Sequence, residues 1–246
     1  MSGHSKWSTI KRKKEVTDIA RGKVFSKHSK AITVAVKQGG GKDPSGNYKL
    51  RIAIDQAKAD NMPKSNIDKA INKGDEAGNI EEIVYEGFGP SGVNIMVVVA
   101  TDNRNRTGQE IKNIFDKGGG RMGGPGSVSF NFEAKGVLIV EKATDADGQL
   151  LELIDLGAED VEVEGNAIEV FTSSSELGKT KEVLESSKYK VRSAELIYKP
   201  KTTQKVEDKP TAVRIVKLLQ TFDDCEDVQN VYTNASFGEE LIKDLD

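Results

Sequence analysis

The sequence predicts an α+β protein of three domains, a helical N-terminal domain followed by two α/β domains. Three observations predict it. At 246 residues, the chain is longer than one ordinary domain. Apolar residues recur at helical spacing up to about residue 71, and β-branched runs become frequent only after Gly78. In the second half, the segments follow the order βαββαβ, which is that of a ferredoxin-like domain.

Residues 1–77 are predicted to form a basic helical domain. The first helix ends at the glycine run that begins at Gly39, since glycine commonly terminates helices. Pro63 supplies a preset start for a third helix, which ends at Lys73 and Gly74. The apolar faces that predict the first two helices are Ala31, Ile32, Ala35 and Val36, then Leu50, Ala53, Ile54 and Ala57.

The next segment is predicted to contain a strand, a helix and a second strand. The apolar run Val93–Ala100 is typical of a buried strand. Thr107 and Glu110 have the spacing of a capping box, which predicts that a helix begins there. After a glycine-rich turn, alternation predicts a strand with one apolar face, formed by Val128, Phe130 and Phe132.

The ferredoxin-like domain, residues 135–202, is predicted to interrupt the second domain. The chain beyond it contains only a helix, with apolar residues from Ala212 to Leu219, and a strand. Two such elements cannot bury a core alone, so we expect them to return to the earlier strand, helix and strand. The second domain is therefore predicted to be discontinuous, comprising residues 78–134 plus 203–246.

Charge is distributed unevenly along the chain. Residues 1–73 hold 17 lysines and arginines against 6 acidic residues, a net charge of +11, whereas the remaining residues carry a net charge of -14. A charge run is usually a solvated face, but a basic segment attached to an acidic body favours polyanion binding. The predicted partner is a nucleic acid, either DNA or ribosomal RNA.

Metal and disulfide chemistry are not expected. Cys225 is the only cysteine, so no intramolecular disulfide can form. With His4 and His28 as the only histidines, a Cys/His zinc site lacks ligands. Both histidines lie among lysines, where neighbouring positive charge suits phosphate contact better than general base catalysis.

Cofactor binding and enzyme activity are not expected either. Two segments, GFGPSG and GGGRMG, match a dinucleotide-binding motif, but neither lies between a strand and a helix as that motif requires. SSSELGKT resembles a phosphate-binding loop except that Ser173 occupies the position of its first glycine. No catalytic arrangement accompanies the histidines.

The chain lacks an apolar signal segment or a stretch long enough to cross a bilayer, so a cytoplasmic protein is expected. No coiled-coil heptads are present, and a monomer is expected. The basic run that begins at Lys11 also fits a nuclear signal, which would require a eukaryotic source.

The candidate nucleic-acid contacts are basic residues in two places, the first thirty residues and the segment around Arg104. Trp7 lies among the basic residues of the first place. Trp7 either stacks on an exposed base or anchors the N-terminus to the helical domain. Arg104 and Arg106 either bind an anion at a helix N-terminus or belong to a self-satisfied turn. The predicted binding residues are Lys6, Lys11, Arg12, Lys13, Lys14, Arg21, Lys23, Lys27, Lys30, Arg104 and Arg106.

An acidic cluster lies between the last predicted helix and strand. A solvated loop and a cation site are both compatible with it, although it lacks the ligand spacing of an EF-hand. The residues are Asp223, Asp224, Glu226 and Asp227.

Segments spread over the chain resemble a known family. In order they are MSGHSKWSTIKRKK, RGKVFSK, YEGFGPSG, TDNRNRT, KGGGRMGGPGSVSF and DDCEDVQNVY, and they run from residue 1 to about 232. The chain thus resembles the YebC/PmpR family, whose mitochondrial relatives are translational activators of cytochrome oxidase synthesis.

The resemblance implies a cytoplasmic, non-enzymatic protein with a helical N-terminal domain and two α/β domains. It also implies a DNA-binding transcriptional regulator or, alternatively, a ribosome-associated factor that assists translation through proline-rich stretches. The charge pattern alone does not distinguish duplex DNA from ribosomal RNA.

Overall fold

The computed structural model describes residues 18–75 and 80–238 and has an α+β fold. These residues form two compact units. Residues 132–201 make up the inserted unit, and the described residues on either side of it make up the main unit. The predicted fold class is confirmed, whereas the exact boundaries of three domains stay a prediction.

A helical segment begins the main unit. One apolar face of each helix contributes to a shared core. The faces predicted for the first two helices are buried, except that Ala31 is half-buried, and this prediction is confirmed. The helices are α1 (Asp18–Gln38), α2 (Tyr48–Ala59) and α3 (Lys64–Asp75).

Two local features fix the packing of these helices. The Asn47 side chain accepts a hydrogen bond from the Leu50 amide, which caps α2, and donates to the Ala35 carbonyl at 2.8 Å, which ties α2 to α1. Gly74 lies within α3 and does not end it. A Cβ at Gly74 would lie only 2.7 Å from the Cβ of Val36, so glycine allows α3 to approach α1 closely.

The remaining elements alternate between helix and strand. The main unit continues with β1 (Glu81–Phe88), β2 (Asn94–Thr101), α4 (Arg104–Lys117) and β3 (Arg121–Met122). The inserted unit contains β4 (Phe132–Glu141), α5 (Ala146–Asp155), β5 (Asp160–Glu164), β6 (Ala167–Ser173), α6 (Leu177–Ser186) and β7 (Val191–Pro200). The chain then returns to the main unit with β8 (Gln204–Val206), α7 (Lys209–Asp224), β9 (Val228–Thr233) and β10 (Ala235–Phe237).

The main unit has an antiparallel sheet in the order β3-β1-β2-β9. The late strand β9 pairs with the early strand β2, so residues from both sides of the insertion share one sheet, as predicted. Apolar residues of α4 and α7 pack with the strands in one core, where the rings of Phe115 and Phe222 meet edge to face at 4.8 Å. A short parallel pair, β8 and β10, accompanies this sheet.

The inserted unit has the predicted βαββαβ order. Its antiparallel sheet has the order β5-β6-β4-β7, in which the first and third strands of the motif are neighbours at the centre. Leu138, Leu153 and Ile168 are fully buried within it. The ferredoxin-like insertion is therefore confirmed.

Two local predictions are wrong. The helix α4 begins at Arg104 and is capped by Asn103, so Thr107 lies within the helix and does not cap it. Thr107 is buried because its hydroxyl has polar partners inside the main unit. The predicted strand around Phe130 is instead a short 3₁₀ turn, Ser129–Asn131, in which Phe130 is exposed.

A buried carboxylate fixes the glycine-rich loop that precedes this turn. Glu86, on β1, accepts hydrogen bonds from the backbone amides of Gly126, Val128 and Ser129 at 2.7 to 2.8 Å. Burial disfavours the charged carboxylate, but these donors outweigh that effect and lower the pKa of Glu86 below its ordinary value. The loop is therefore held as one defined structure.

We predict that Glu86→Gln loosens this loop, because the glutamine amide offers one acceptor oxygen where the carboxylate offers two. The free energy of unfolding should fall by about 2 kcal/mol in urea denaturation at pH 7. Hydrogen exchange of the Val128 and Ser129 amides should accelerate.

The exposed neighbour Glu82 provides the control, since Glu82→Gln should change neither measurement. The stabilisation by Glu86 should be complete above the unfolded glutamate pKa of about 4.3 and should be lost as pH falls through the lower folded pKa. Unchanged exchange in Glu86→Gln would refute the anchoring role.

Candidate nucleic-acid interface

The structure describes only part of the predicted binding set. The positions Lys6, Trp7, Lys11, Arg12, Lys13 and Lys14 lie outside the described residues, as does His4. The other predicted residues are Arg21, Lys23, Lys27 and Lys30 on α1, and Arg104 and Arg106 at the start of α4.

The acidic cluster binds α1. We call residues 223–227 the acidic loop, which spans the end of α7 and the start of the link to β9. The Lys27 ammonium donates to the Asp223 carbonyl at 2.5 Å, and Ser26 donates to the Glu226 carboxylate at 2.8 Å. Lys30 lies 2.6 Å from the Asp227 carboxylate. Lys27 and Lys30 therefore bind groups of the protein itself.

Asp227 is the centre of this arrangement. Its carboxylate is almost fully buried, with 6% of the side chain exposed, and it joins three elements. One oxygen accepts from Lys30. The other accepts from the Arg106 guanidinium at 2.8 Å and from the Thr107 hydroxyl at 2.5 Å. The main chain of Asp227 also accepts from the Ala100 amide at 2.8 Å, which links it to β2.

The hydroxyl network behind Asp227 has one consistent direction. Because Thr107 donates its proton to Asp227, it must accept from the Thr101 hydroxyl, which lies 2.8 Å away. The Thr101 oxygen in turn accepts from the Asn103 amide. This chain fixes the β2–α4 turn and explains why a threonine occupies the buried position that resembled a capping box.

Electrostatics favour the ionised form of Asp227. Burial opposes the charge, but hydrogen bonds from Lys30, Thr107 and Arg106 outweigh it and lower the pKa of Asp227 to about 2. Relative to an unfolded aspartate, this shift corresponds to roughly 2 to 3 kcal/mol of stabilisation at neutral pH.

The two predicted arginines differ in their surroundings. Arg106 is held by Asp227 and by Asp102, whose carboxylate is 3.3 Å away. Asn103 caps α4 by accepting from the Arg106 amide. Arg104 has an exposed side chain, while its carbonyl accepts from the Tyr85 hydroxyl at 3.2 Å. The structure therefore does not bring the two guanidinium groups to one anion.

His28 also has an internal partner. Its Nε2 lies 2.7 Å from the carboxylate of Asp60, the residue that ends α2. This contact ties α1 to the C-terminal end of α2.

Six exposed lysines cover the helical segment, and only one of them belongs to the predicted binding set. Among its described residues, the ammonium groups of these lysines have no ion-pair partner, and they extend over all three helices. Their positions on the polar side of each predicted helix could have identified them as exposed from the sequence. They are Lys23, which was predicted, and Lys49, Lys58, Lys64, Lys69 and Lys73, which were not.

The acidic cluster and the single cysteine show no metal-binding geometry. Within the described ranges, no group of His, Cys, Asp and Glu side chains could hold a metal ion. Cys225 is buried within the acidic loop, and burial raises the pKa of its thiol. The structure thus shows a loop that binds cations of its own chain.

The two glycine motifs have packing roles. A Cβ at Gly87 would lie 2.6 Å from the Arg121 carbonyl, and one at Gly120 would lie 2.4 Å from the Phe88 carbonyl. Both glycines allow β3 and its preceding turn to approach β1. Separately, none of the helices in the described part of the chain is long and apolar enough to cross a membrane.

Comparison with known proteins gives matches over almost the whole chain. A family model for the TACO1/YebC protein N-terminal domain matches residues 5–77, and one for the TACO1/YebC second and third domain matches residues 80–235. Probable transcriptional regulatory proteins of Geobacter sp. strain M21 and Dictyoglomus thermophilum are 48% and 45% identical, each over 100% of both chains.

A solved structure agrees with these matches. The crystal structure of a conserved hypothetical protein from Aquifex aeolicus has a TM-score of 0.83 and 41% sequence identity. The similarity covers 92% of this chain and 95% of that one.

We predict that Asp227→Asn destabilises the main unit. The substitution keeps the shape of the side chain but removes the buried anion that Lys30 and Arg106 share, and leaves them only the exposed carboxylates of Glu226 and Asp102. The free energy of unfolding should therefore fall by about 3 kcal/mol at pH 7. Urea denaturation followed by circular dichroism measures this loss.

Asp224→Asn is the matched control, because Asp224 is exposed in the same loop and should be replaceable. The difference between wild type and Asp227→Asn should be largest above the unfolded aspartate pKa of about 3.9 and should shrink as pH falls towards 2. Equal stability of both variants at pH 7 would contradict the central role of Asp227.

Proposed function

Because the chain belongs to the TACO1/YebC family, we propose that it is a nucleic-acid-binding regulator of gene expression. The first candidate is a DNA-binding transcriptional regulator, as the names of its relatives suggest. It acts in the cytoplasm as a monomer, without a cofactor and without catalysing a reaction.

The observation that carries the proposal is the set of exposed lysines on the helical segment. A lysine without an internal partner is available to a phosphate, and each contact releases counterions from the nucleic acid. Three of these lysines, Lys64, Lys69 and Lys73, belong to the single helix α3.

The charge of the residues outside the helical segment also favours binding of the nucleic acid at the helical segment. The residues after 73 carry a net charge of -14, which repels a phosphate backbone. The nucleic acid is therefore directed to the helical segment. The proposed contact set adds Lys6, Lys11, Arg12, Lys13, Lys14, Arg21 and Arg104 to the exposed lysines.

Internal contacts change the proposed roles of three predicted residues. Lys27, Lys30 and Arg106 hold the acidic loop against α1 and α4. In this proposal they position the helical segment, and the phosphate contacts come from the exposed residues.

Ribosome-associated translation is the second candidate. The exposed lysines extend over α1, α2 and α3, a distribution that suits phosphate and shape recognition better than insertion of one recognition helix into a groove. Folded ribosomal RNA offers such a surface, and relief of stalling at proline-rich stretches would be the activity.

We predict that the triple substitution of Lys64, Lys69 and Lys73 by alanine weakens nucleic-acid binding. At 0.1 M salt the affinity should fall roughly eightfold for each lysine that meets a phosphate, and the salt dependence should become shallower by about 1 per contact. Fluorescence anisotropy with a DNA duplex and with a folded RNA, over a salt series, measures both quantities.

A triple alanine substitution of Lys112, Lys142 and Lys217 removes the same charge from exposed positions elsewhere and should leave binding nearly unchanged. Equal losses in both triple variants would refute a localised interface. Promoter protection by the wild type supports the transcriptional role. Salt-sensitive sedimentation with ribosomes that is lost on substitution of Lys11, Arg12, Lys13 and Lys14 by alanine supports the translational one.

A further inference from the structure

Two exposed apolar side chains lie next to each other on α5 of the inserted unit. The part of the chain that the structure describes has four exposed large apolar side chains, and two of them are Leu151, 67% exposed, and Ile154, 48% exposed. They are three positions apart in a helix, so they share one face. A single exposed apolar residue is ordinary, whereas an adjacent pair forms a small patch that a partner can bury.

The inner side of α5 is occupied by the inserted unit itself. Leu153 is fully buried, and Gln149 is buried and donates to the Glu141 carbonyl at 2.9 Å. The Glu152 carboxylate accepts from the hydroxyl of Tyr189, a residue that follows α6, at 2.6 Å. The helix is therefore fixed from within, and such a helix loses little conformational freedom when a partner binds its outer face.

Carboxylates border the apolar pair. Asp147 and Asp155 are exposed and lie four positions before and after Leu151, so they share its side of the helix. Among the described residues, no cation pairs with either carboxylate. From Ala143 to Gly178 the chain contains ten acidic residues and neither lysine nor arginine. The patch is therefore apolar at its centre and negative at both ends.

The position of Asp155 also favours an external cation. Asp155 is the last residue of α5, and the last turn of this helix contains no basic residue. The C-terminal end of a helix carries a partial negative charge, so a carboxylate is unfavourable there and a cation is favourable. A cation supplied by a partner would interact favourably with both the carboxylate and the helix end.

These charges determine the chemistry of the partner. Carboxylates repel nucleic acids and anionic lipid surfaces. A second copy of the chain also fits poorly, because two copies of α5 would repel each other. The lysine-rich helical segment has no exposed large apolar side chain among its described residues, so it could not cover the patch either. A protein that presents lysine or arginine beside aliphatic side chains complements both features.

We propose that Leu151 and Ile154 form a docking surface for a basic amphipathic helix of a partner protein, whose cations contact Asp147 and Asp155. Side chains three positions apart form a ridge that fits a groove on the surface of a second helix. This inference is independent of the proposed nucleic-acid binding, and it gives the inserted unit a protein partner of its own.

The test measures binding of a synthetic peptide to the full chain by fluorescence anisotropy. The peptide is a fluorescein-labelled helix of about 18 residues with leucine on one face and lysine on the other. The double substitution Leu151→Ala and Ile154→Ala should weaken binding at least about tenfold, because the apolar contact is lost. Leu151→Met combined with Ile154→Leu keeps an apolar surface and should bind like the wild type.

Charge variants test the role of the carboxylates. Asp147→Asn combined with Asp155→Asn should weaken binding about threefold at about 0.1 M salt, and the loss should shrink at about 0.5 M salt because salt screens exposed charges. The matched controls lie in the main unit. Val213→Ala truncates another exposed apolar residue, and Asp68→Asn combined with Asp116→Asn removes the same charge from exposed positions. Both controls should bind the peptide like the wild type.

Thermal midpoints establish that the variants are folded, as we expect because alanine is the best helix former. The asparagine variant decides the question even if alanine perturbs α5. Normal peptide binding by the double alanine variant, an equal loss in Val213→Ala, or no binding by the wild type would overturn the proposal.

Two further measurements exclude other partners. The double alanine variant should keep wild-type affinity for a DNA duplex and for a folded RNA, and a loss of that affinity would contradict a protein-binding surface. In sedimentation velocity, self-association that the double alanine substitution abolishes would assign the patch to a second copy of the chain and overturn the assignment to a separate protein.

Discussion

The buried carboxylate of Asp227 is the constraint on which the arrangement of the main unit depends. A buried anion is unfavourable unless cations and hydrogen-bond donors surround it, and here they come from separate parts of the chain. Lys30 belongs to α1, Arg106 and Thr107 belong to α4, and Asp227 itself precedes β9. The helical segment, the first half of the sheet and the returning C-terminal elements therefore meet at one charge. Any movement of α1 away from the sheet would leave this charge incompletely satisfied.

The same interaction divides the basic residues into two classes. Lysines that face the acidic loop have partners within the protein: Lys30 pairs with carboxylates and Lys27 donates to a backbone carbonyl. These lysines stabilise the fold and are less available to a phosphate. Lysines on the outer faces of the helices keep their full charge towards solvent. A net charge of +11 over the first 73 residues thus overstates the charge presented to a partner. The distribution of carboxylates in the folded chain determines which cations are free, and those carboxylates lie about 200 residues away in the sequence.

Much of the fold could be predicted from periodicity. The apolar face of α2 and the βαββαβ order of the inserted unit followed directly from spacing, because burial imposes one period on helices and another on strands. The errors arose where a long-range polar contact overrides a local motif. Thr107 resembled a cap because its partner Asp227 is 120 residues distant. Phe130 resembled a strand residue because it alternates with Val128 and Phe132. The contact that makes this segment a turn comes from Glu86, 43 residues earlier, and it cannot be recognised in the local sequence. For the same reason, the sequence could not separate internally paired lysines such as Lys30 from exposed ones such as Lys69.

The pairing of β9 with β2 also affects the order in which the protein can form during synthesis. The inserted unit consists of consecutive residues and can fold once they have left the ribosome. The sheet of the main unit, in contrast, leaves one edge of β2 open until β9 has emerged, about 130 residues later. At ordinary elongation rates of roughly 5 to 20 residues per second, this interval is on the order of ten seconds. During that time an apolar strand has an unpaired edge, which makes the nascent chain a substrate for chaperones and a potential source of aggregation.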